Sequence, residues 1–515
     1  MNRMIDVIVI VGGGSAGWLT AGYVAREHRE RIARGDLRVV LCESPNIPAI
    51  GVGEGTWPTM RATLARLGIS ETSLITRCHA SFKQGSRFSG WHHASAPGHD
   101  YYHPFAFAPG GADGALASYG ALTDQWSDFS RLFGAQQSIC EAQRAPKQIT
   151  HAEFDGALNY GYHLDVTAFA QLLSEHCQAE LGVEHVLADV QEVLRDETGA
   201  IAALRLPGDE RLSGDLFVDC TGFKALLLGD ALKVPFRSVA QVLFNDAALT
   251  THVNYPSADS EIASCTHASA TTHGWIWDIG LSSRRGVGHV FSSRYTDVAQ
   301  VAGTLSAYLG VDEASAEFRH ISFSPGCRER VWQDNCVAIG LSAGFVEPLE
   351  ASALVMIELS AMELAEGLPR HSSQLPVVAK RFNTAFAYRW DRVVDFLKLH
   401  YALSKRDDSE YWRDNRAATS VPESLQQLLT LWRYRAPQSN DFPMAREVFQ
   451  SLSYQYVLSG LGEAPLLGEQ VSSALDERAQ RALAQNKQTI NHLMSQLPGN
   501  RELIHKIHRF GLSTI

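Results

Sequence analysis

Three glycines near the start of the chain have the spacing of a phosphate-binding turn. Gly12, Gly14 and Gly17 fit the pattern G-x-G-x-x-G, which joins a strand to a helix. These glycines permit a tight turn, close approach of the backbone to a pyrophosphate, and packing of the helix on the strand. Ser15 and Ala16 follow at the helix N terminus, where N–H groups and the helix dipole favour phosphate. We predict a dinucleotide site; an ordinary glycine-rich turn is the alternative, and the pattern does not distinguish FAD from NAD.

Glu43 has the position of a ribose ligand. It ends a predicted second strand, Arg38–Cys42, and an acidic side chain there can accept hydrogen bonds from a ribose 2′-OH. A later predicted strand, Asp215–Cys220, ends in Thr221 and Gly222. This second strand end is interpreted as another close approach of the backbone to the same cofactor.

The loop Ser44–Thr56 is rich in Pro and Gly yet carries apolar residues. Such a loop can lie across a bound cofactor as a strap, and a plain turn is an equal alternative. Ile50, Gly51 and Val52 form the centre of this loop.

Lys83 is a candidate for covalent chemistry. It lies in Ser81–Trp91, a segment of aromatic residues and two cations that is predicted to be a strand. Desolvation lowers the pKa of an enclosed lysine below about 10.4, which makes the amine a nucleophile or an acid. A surface lysine on an edge strand is the alternative, and the residues alone favour it.

An anion site is predicted further along the chain. A buried strand, Cys336–Gly340, leads through a turn to Glu350 and a helix over about 351–366. The free N–H groups of Ser352 and Ala353 would lie at the N terminus of this helix, where an anion is favoured.

Aromatic residues and histidines offer the walls of a pocket. His103 and Phe105 follow a loop in which His92, His93 and His99 crowd together. A metal site lacks clean ligand spacing, so a substrate-pocket wall is preferred.

Two tryptophans fall on one face of a predicted strand. Trp275 and Trp277 lie in Gly274–Ile279, where side chains repeat every second residue, and Arg284–Ser293 is the predicted hairpin partner. The two indoles fit either a core or a pocket wall.

These residues require an α/β fold in which a buried parallel strand, Ile5–Val11, leads into the glycine turn. Residues 1–375 are predicted to form a cofactor-binding module with inserted strands and loops, and residues 376–515 a helical C-terminal region. Gly110–Lys147 is predicted to be an irregular insertion. The other predicted elements are helices Thr59–Leu67 and Thr167–Glu180, the latter capped by Asp165, and strands Glu184–Leu187, Val190–Arg195 and Ile201–Leu206.

Composition narrows the function classes. The 515 residues are 45% hydrophobic and 20% charged, as in globular proteins with packed subdomains. The 56 acidic against 45 basic residues give a net charge of −11, which argues against nucleic acid or anionic membrane as partner. No apolar run approaches the roughly 20 residues of a membrane span. The eight cysteines lack C-x-x-C spacing, which predicts reduced thiols, no zinc or iron–sulfur site, and a cytoplasmic location.

Taken together, six motifs resemble those of the flavin-dependent halogenases of the tryptophan-halogenase type. They are Gly12–Gly17 followed by Trp18, Ile50–Glu54, Ser81–Gly85 around Lys83, Asp219–Phe223, Gly274–Ile279, and Gly344–Glu350. The lysine segment and the double-tryptophan strand are specific, because ordinary flavin hydroxylases lack both.

The resemblance implies a flavin-monooxygenase-like fold and a chemistry. FAD, reduced as FADH2 by a separate NAD(P)H-dependent flavin reductase, reacts with O2, and a chloride or bromide ion becomes hypohalous acid. Lys83 would hold the oxidant beside the acidic Glu350, Ser352 and Ala353 would bind the halide, and a small electron-rich aromatic of indole type would be halogenated. The implied FAD contacts are Gly12, Gly14, Ser15, Ala16, Gly17, Glu43, Ile50, Gly51, Val52, Val190, Thr221, Gly222, Leu341 and Leu354.

The chain departs from the family pattern in three places. Gly280 stands where Pro usually follows the double-tryptophan strand, and Ala351 and Ala353 replace Ser and Gly beside Glu350. The C-terminal stretch Phe449–Tyr456 does not match the cluster that holds free tryptophan, so indole, another free aromatic and a larger molecule remain open as substrates.

The predicted pocket walls are His103, Phe105, Trp275, Trp277 and Tyr454. Trp275 and Trp277 would also keep the substrate away from the flavin. The alternatives are an aromatic hydroxylase and a non-catalytic flavin-binding relative. A homodimer is left open.

Overall fold

A parallel sheet is built on the apolar strand near the N terminus. The computed structural model describes residues 3–47, 53–94, 100–106, 115–123, 125–313, 316–468 and 471–514. The strands are β1 Val7–Val11, β2 Arg38–Glu43, β3 Gly53–Gly55, β4 Ser81–Lys83, β5 Gly85–Ser89, β6 Tyr101–Pro104, β7 Gly161–Asp165, β8 Glu184–Leu187, β9 Glu192–Arg195, β10 Ile201–Arg205, β11 Arg211–Ser213, β12 Leu216–Asp219, β13 Phe236–Ser238, β14 Ala247–Asn254, β15 Thr266–Thr271, β16 Gly274–Gly280, β17 Arg284–Phe291, β18 Arg319–Ser322, β19 Gly326–Arg328, β20 Trp332–Gln333, β21 Cys336–Ala338 and β22 Gly344–Phe345.

Helices connect and cover these strands. They are α1 Ser15–Glu27, α2 Arg29–Ala33, α3 Thr59–Leu67, α4 Glu71–Arg77, α5 Ala115–Leu122, α6 Phe129–Leu132, α7 Gln136–Glu141, α8 Val166–Glu180, α9 Val298–Leu309, α10 Ser352–Glu366, α11 Leu375–Ala402, α12 Glu410–Arg416, α13 Glu423–Trp432, α14 Ser451–Gly460, α15 Ser473–Gln496 and α16 Asn500–Phe510.

The nucleotide-side sheet has the order β20-β21-β12-β1-β2-β8. β1 pairs in parallel with both β2 and β12, so it is central, as its run of β-branched residues predicts. Helix α1 follows β1 directly and packs against α8 and α10. The carboxyl ends of β1, β2 and β12 therefore meet at one edge of the sheet, where ligands of such folds bind.

A second sheet has the order β18-β14-β17-β16-β15-β5-β6, and a small sheet has the order β3-β7-β4. The predicted hairpin is confirmed: β16 and β17 pair antiparallel from Gly274↔Phe291 to Gly280↔Arg285. Gly280, at the end of β16, is crowded; a Cβ built there would lie 2.8 Å from Tyr255 Oη.

Two expectations about the chain were wrong in detail. Ser81–Trp91 is not one strand, because the chain leaves the small sheet at Lys83 and joins the large sheet at Gly85. Gly85 has φ +149°, and a Cβ there would lie 2.4 Å from the carbonyl oxygen of His103, so the glycine permits the crossing. The described part of Gly110–Lys147 is not irregular, since it contains α5, α6 and α7.

The C-terminal region is helical, as predicted, and its last helix returns to the lysine strand. Asn500 Nδ2 on α16 donates to the carbonyl oxygen of Phe82 at 3.2 Å. Arg501 Nε donates to the carbonyl oxygen of Ser260 at 2.8 Å. Leu503, Ile504 and Ile507 are buried beneath it.

All eight cysteines are buried free thiols. Among the described residues, no helix combines the length and apolarity needed to cross a membrane. The same residues contain no group of three His, Cys, Asp or Glu side chains placed to hold a metal ion.

Candidate active site

The glycine turn forms an open cradle at the end of β1. Gly12 has φ +114°, and a Cβ there would lie 2.2 Å from the carbonyl oxygen of Cys220. A Cβ on Gly17 would lie 1.9 Å from the carbonyl oxygen of Gly12, whereas one on Gly14 would meet no atom within 4 Å. Gly12 and Gly17 therefore serve internal packing, and Gly14 borders free space.

The N terminus of α1 has unused hydrogen-bonding capacity. Ser15 Oγ is buried without a partner, and no side chain caps the helix at Gly14. Ala16 packs beside Gly340, since a Cβ built on Gly340 would lie 2.8 Å from the Cβ of Ala16. Together with the open face of Gly14, these donors fit the pyrophosphate of a dinucleotide such as FAD.

Glu43 and the Thr221–Gly222 turn border the same cradle. A Cβ on Gly13 would overlap the Glu43 carboxylate, whose Oε1 lies 2.8 Å from His185 Nε2. Asp219 Oδ1 accepts from the Thr221 N–H at 3.0 Å, which fixes the turn after β12. Gly222 has φ +67°, and a Cβ built there would meet no atom within 4 Å.

The remaining predicted FAD contacts lie at different places. Val190 is half-buried just before β9, Leu354 is buried inside α10, and Leu341 lines a cavity described below. Ile50, Gly51 and Val52 of the proposed strap lie outside the described residues, as does His99.

A cavity opens at the N terminus of α10. Ser352 and Ala353 line it together with Leu341 and Gly344, and α11 closes it with Phe386, Trp390 and Val393. The two predicted halide residues thus border the same space as one predicted flavin residue. The α11 side of this cavity was missed from the sequence, because a helical stretch alone does not show which sheet it covers.

Lys83 is enclosed although it lies on an edge strand. β4 is the outer strand of the small sheet, yet Lys83 is 1% exposed. Its Nζ lies 5.1 Å from the ring centroid of Phe105. A Cβ on Gly55 would lie 3.0 Å from this Nζ and 3.4 Å from Ala351 Cβ, so the amine reaches the segment that carries Glu350. Burial lowers the pKa of Lys83 to about 8, against an opposing effect of Glu350.

Glu350 is held by two histidines. His103 Nδ1 lies 2.8 Å and His400 Nε2 lies 3.3 Å from Glu350 Oε1, and all three side chains are buried. Tyr101 Oη hydrogen-bonds His400 Nδ1 at 2.7 Å. Burial raises the pKa of Glu350, but the histidines outweigh it and lower that pKa to about 2. The carboxylate therefore stays ionised near an amine whose pKa is lowered by burial.

The backbone at Glu350 is strained. Glu350 and Ala351 have φ +62° and +53°, left-handed values that cost non-glycine residues roughly 1–3 kcal/mol each. Trp57 Nε1 donates to the Glu350 carbonyl oxygen at 2.9 Å, and the Ala351 N–H donates to the Pro348 carbonyl oxygen at 3.0 Å. The predicted helix starts one residue later than expected, at Ser352, because Ala351 occupies this conformation.

Aromatic rings surround the Lys83–Glu350 pair. Trp57 contacts the rings of His103, Phe105 and Phe449 at centroid distances of 5.7, 5.2 and 5.3 Å. Phe449 stacks on Phe396 at 3.9 Å. His103 and Phe105, predicted as pocket walls, thus lie directly at the pair.

The other predicted wall residues are also buried. Tyr454 is fully buried and lies 4.8 Å from the ring of Phe396. Trp275 and Trp277 lie 6.3 Å apart on β16, and Trp275 Nε1 donates to Glu347 Oε2 at 2.7 Å. Their contact with a substrate stays a prediction.

Trp57 and His400 are site residues that sequence reasoning missed. His400 is four residues after Phe396 on α11, and the two rings lie 5.4 Å apart, so their helical spacing was the available signal. Trp57 offered none, because its contacts come from distant parts of the sequence: His103, Phe105, Glu350 and Phe449.

The fold, the glycine cradle after β1 and the site around Lys83 and Glu350 define the class of protein. It is an α/β dinucleotide-binding protein with an enclosed lysine–carboxylate site. The sequence profile of the tryptophan halogenase family matches residues 7–477, and the chain belongs to that family. It is therefore a flavin-dependent halogenase, an enzyme, and the match favours that prediction over a hydroxylase or a non-catalytic relative.

Individual relatives agree over nearly the whole chain. Tryptophan 6-halogenase SttH of Streptomyces toxytricini is 35% identical over 489 residues, covering 90% of each chain. The structure of a tryptophan halogenase from Shewanella frigidimarina aligns with a TM-score of 0.95 at 43% identity, over 100% of this chain and 99% of that one. BrvH, a flavin-dependent halogenase from Brevundimonas sp., aligns with a TM-score of 0.84 at 31% identity, over 98% and 99%.

Proposed function

We propose that this halogenase uses FADH2, O2 and chloride or bromide to form hypohalous acid, and transfers the halogen through Lys83 to an indole-type aromatic. The observation that carries the proposal is the enclosure of Lys83. Its Nζ is buried beside Ala351 and Phe105, with a pKa lowered to about 8 by burial. A neutral amine has a lone pair for an electrophilic halogen, and an ammonium does not.

The cradle at Gly12–Gly17 and Glu43 would hold the FAD, whose reduced flavin supplies the electrons for oxidant formation. Ser15 Oγ, buried without a partner, supports this assignment. The free N–H groups of Ser352 and Ala353 would bind the halide at the cavity they line, where the α10 dipole favours an anion.

Glu350 would act on the substrate ring. The halogen leaves Lys83 for a ring carbon, the ring becomes cationic, and its proton must then depart. Because Glu350 stays ionised with a pKa of about 2, it stabilises the developing positive charge at low local dielectric. The ring proton then passes to this carboxylate, and His103 and His400 keep it in place.

The aromatic side chains around Lys83 and Glu350 support the proposed substrate class. Trp57, His103 and Phe105 offer aromatic faces around the pair, which suits a flat, electron-rich ring. A separate NAD(P)H-dependent reductase would supply the reduced flavin. The eight free thiols support a cytoplasmic location.

The test supplies a flavin reductase, NADH, FAD, O2 and either bromide or chloride, with indole as substrate, and identifies products by mass. A halogen isotope pattern that requires the halide supports the proposal. Hydroxylated indole without halide dependence would establish the hydroxylase instead, and bound flavin without any product would establish a non-catalytic relative.

Two variants assign the residues. Lys83→Met keeps the buried stem but removes the amine, so halogenation should be lost while FAD still binds. Ser352→Pro removes one N–H from the α10 N terminus, so halide saturation should need a higher concentration. Full halogenation by Lys83→Met, or unchanged halide saturation in Ser352→Pro, would contradict the respective assignment.

A further inference from the structure

A second buried carboxylate, Glu347, lies three residues before Glu350 and has no part in the proposed chemistry. It is 1% exposed, and its Oε2 accepts three hydrogen bonds. The donors are Trp275 Nε1 at 2.7 Å, Asn245 Nδ2 at 2.5 Å and Tyr401 Oη at 2.8 Å. The Oε2 atom of Glu347 therefore connects three parts of the fold: β16, the segment just before β14, and α11.

The network around Glu347 is itself buried and extends through further hydrogen bonds. Tyr411 Oη donates to Asn245 Oδ1 at 3.0 Å, and Asn245 Nδ2 also reaches Tyr401 Oη at 3.0 Å. Lys398, fully buried nearby, donates to Asn415 Oδ1 at 3.0 Å. Such a network is costly to break, because a buried donor left unpaired keeps its full desolvation penalty.

Helix α11 contacts both carboxylates of the segment. Tyr401 binds Glu347, and the preceding residue, His400, lies 3.3 Å from Glu350 Oε1. Between these two contacts the chain passes Pro348 and Leu349 and enters the left-handed turn at Glu350 and Ala351. A backbone in this conformation persists only where its surroundings fix it.

We propose that Glu347 is a positioning residue: its carboxylate anchors the start of the left-handed turn, so that Glu350 meets His103 and His400. The anchor acts from the double-tryptophan strand, since Trp275 donates the indole N–H. This inference rests on the proposed function only for its effect on turnover, because the position of the turn can be measured without any reaction.

The first test measures hydrogen exchange over Phe345–Ala353 in the full chain. Glu347→Ala should speed exchange of the Ala351 amide by about tenfold or more, because the turn opens locally. Tyr401→Phe, which removes one donor, should give a smaller increase in the same direction. Glu358→Gln is the matched control: it alters another fully buried glutamate, on α10, that has no contact with Trp275 or Tyr401 among its assigned hydrogen bonds, and should leave this segment unchanged.

The second test measures turnover against pH. In Glu347→Ala, Glu350 is displaced from its position near Lys83, so the effect that raises the pKa of Lys83 weakens, and the acidic limb of kcat should shift to lower pH. Its kcat should fall by about tenfold or more, with a smaller change in KM. Glu347→Gln should restore much of kcat, since its amide oxygen accepts the same hydrogen bonds.

The outcomes separate the two proposals. Unchanged exchange and an unchanged acidic limb in Glu347→Ala would overturn the positioning role. Absence of halogenated product from the wild type would overturn the proposed function, and exchange would still decide the role of Glu347. If Glu347→Ala does not fold, Tyr401→Phe decides by the same measurements.

Discussion

The negative charge of Glu350 influences the protonation of Lys83. Burial lowers the pKa of Lys83 to about 8, while the negative charge of Glu350 opposes that shift. With this pKa the lysine is mostly protonated at pH 7, and the neutral fraction grows as the pH rises. If the neutral amine is the form that takes up halogen, the rate of halogen transfer should rise with pH to a midpoint near 8.

Glu350→Gln should change both the rate and its pH dependence. Removal of the negative charge takes away the effect that raises the pKa of Lys83, so the midpoint should fall below about 8. The rate itself should fall by about 10²–10⁴-fold, the usual contribution of a positioned acid–base group. Single-turnover halogenation between pH 6 and 9 measures both quantities.

Glu363→Gln is the control for this change. It neutralises a partly buried glutamate on α10 that pairs with Arg389, away from Lys83. Its midpoint should stay near that of the wild type. A Glu350→Gln midpoint at or above the wild-type value would contradict the coupling.

At the scale of elements, the glycine turn contains one glycine needed for packing and another that borders open space. Gly17 is closed in by the Gly12 carbonyl oxygen, at 1.9 Å from a built Cβ, while Gly14 has no atom within 4 Å. A Gly→Ala change should therefore lower folding stability at Gly17 and weaken cofactor binding at Gly14.

Gly17→Ala should lower the free energy of unfolding of the apoprotein by about 1–3 kcal/mol, the usual cost of overpacking. Gly14→Ala should lower it by no more than about 1 kcal/mol, the difference between these residues at a helix N-cap. Gly14→Ala should nevertheless weaken FAD binding by about tenfold, since its methyl group enters the space left for the pyrophosphate. Denaturant unfolding and flavin fluorescence titration measure the two effects; equal FAD affinity in Gly14→Ala and wild type would place the pyrophosphate elsewhere.

Elements set by local pattern could be predicted from the sequence. β1 and its glycine turn, α3 at Thr59–Leu67, and the Asp165 cap of α8 agree with the structure, because each depends on neighbours in the chain. The break at Gln84 could not be predicted. Its N–H donates to the Ser264 carbonyl oxygen at 2.7 Å, a contact across 180 residues of sequence.

The candidate site was predictable by motif but not by geometry. The resemblance marked Lys83 and Glu350, yet the histidine pair on Glu350 comes from β6 and α11, nearly 300 residues apart. No periodicity in either segment indicates that the two rings converge. Residue type identified the chemistry, and only the fold supplied the partners.

At the scale of the whole molecule, the site is assembled from distant segments that a large buried core must hold together. This core contains carboxyl groups whose burial disfavours their ionised form. Glu358 on α10 is fully buried with hydrogen bonds from Thr59 and Thr63, and burial raises its pKa from 4.5 to about 7. Glu54 on β3 is only half-buried, but burial likewise raises its pKa to about 7.

These two carboxyl groups should make the apoprotein less stable as pH rises. Between pH 4.5 and 7 the folded state keeps a proton on Glu358 that the unfolded chain has released, so the free energy of unfolding falls with increasing pH. Glu358→Gln should remove the part of this fall in unfolding free energy that Glu358 causes, on the order of 3 kcal/mol between pH 4.5 and 8. The amide can still accept from Thr63, so the variant should gain on the wild type at pH 8 and differ little at pH 4.5. Urea unfolding of both apoproteins at the two pH values measures the difference, with Glu363→Gln, which alters a partly buried glutamate on the same helix, as the control. A pH-independent gap between Glu358→Gln and wild type would show that Glu358 is ionised in the folded protein.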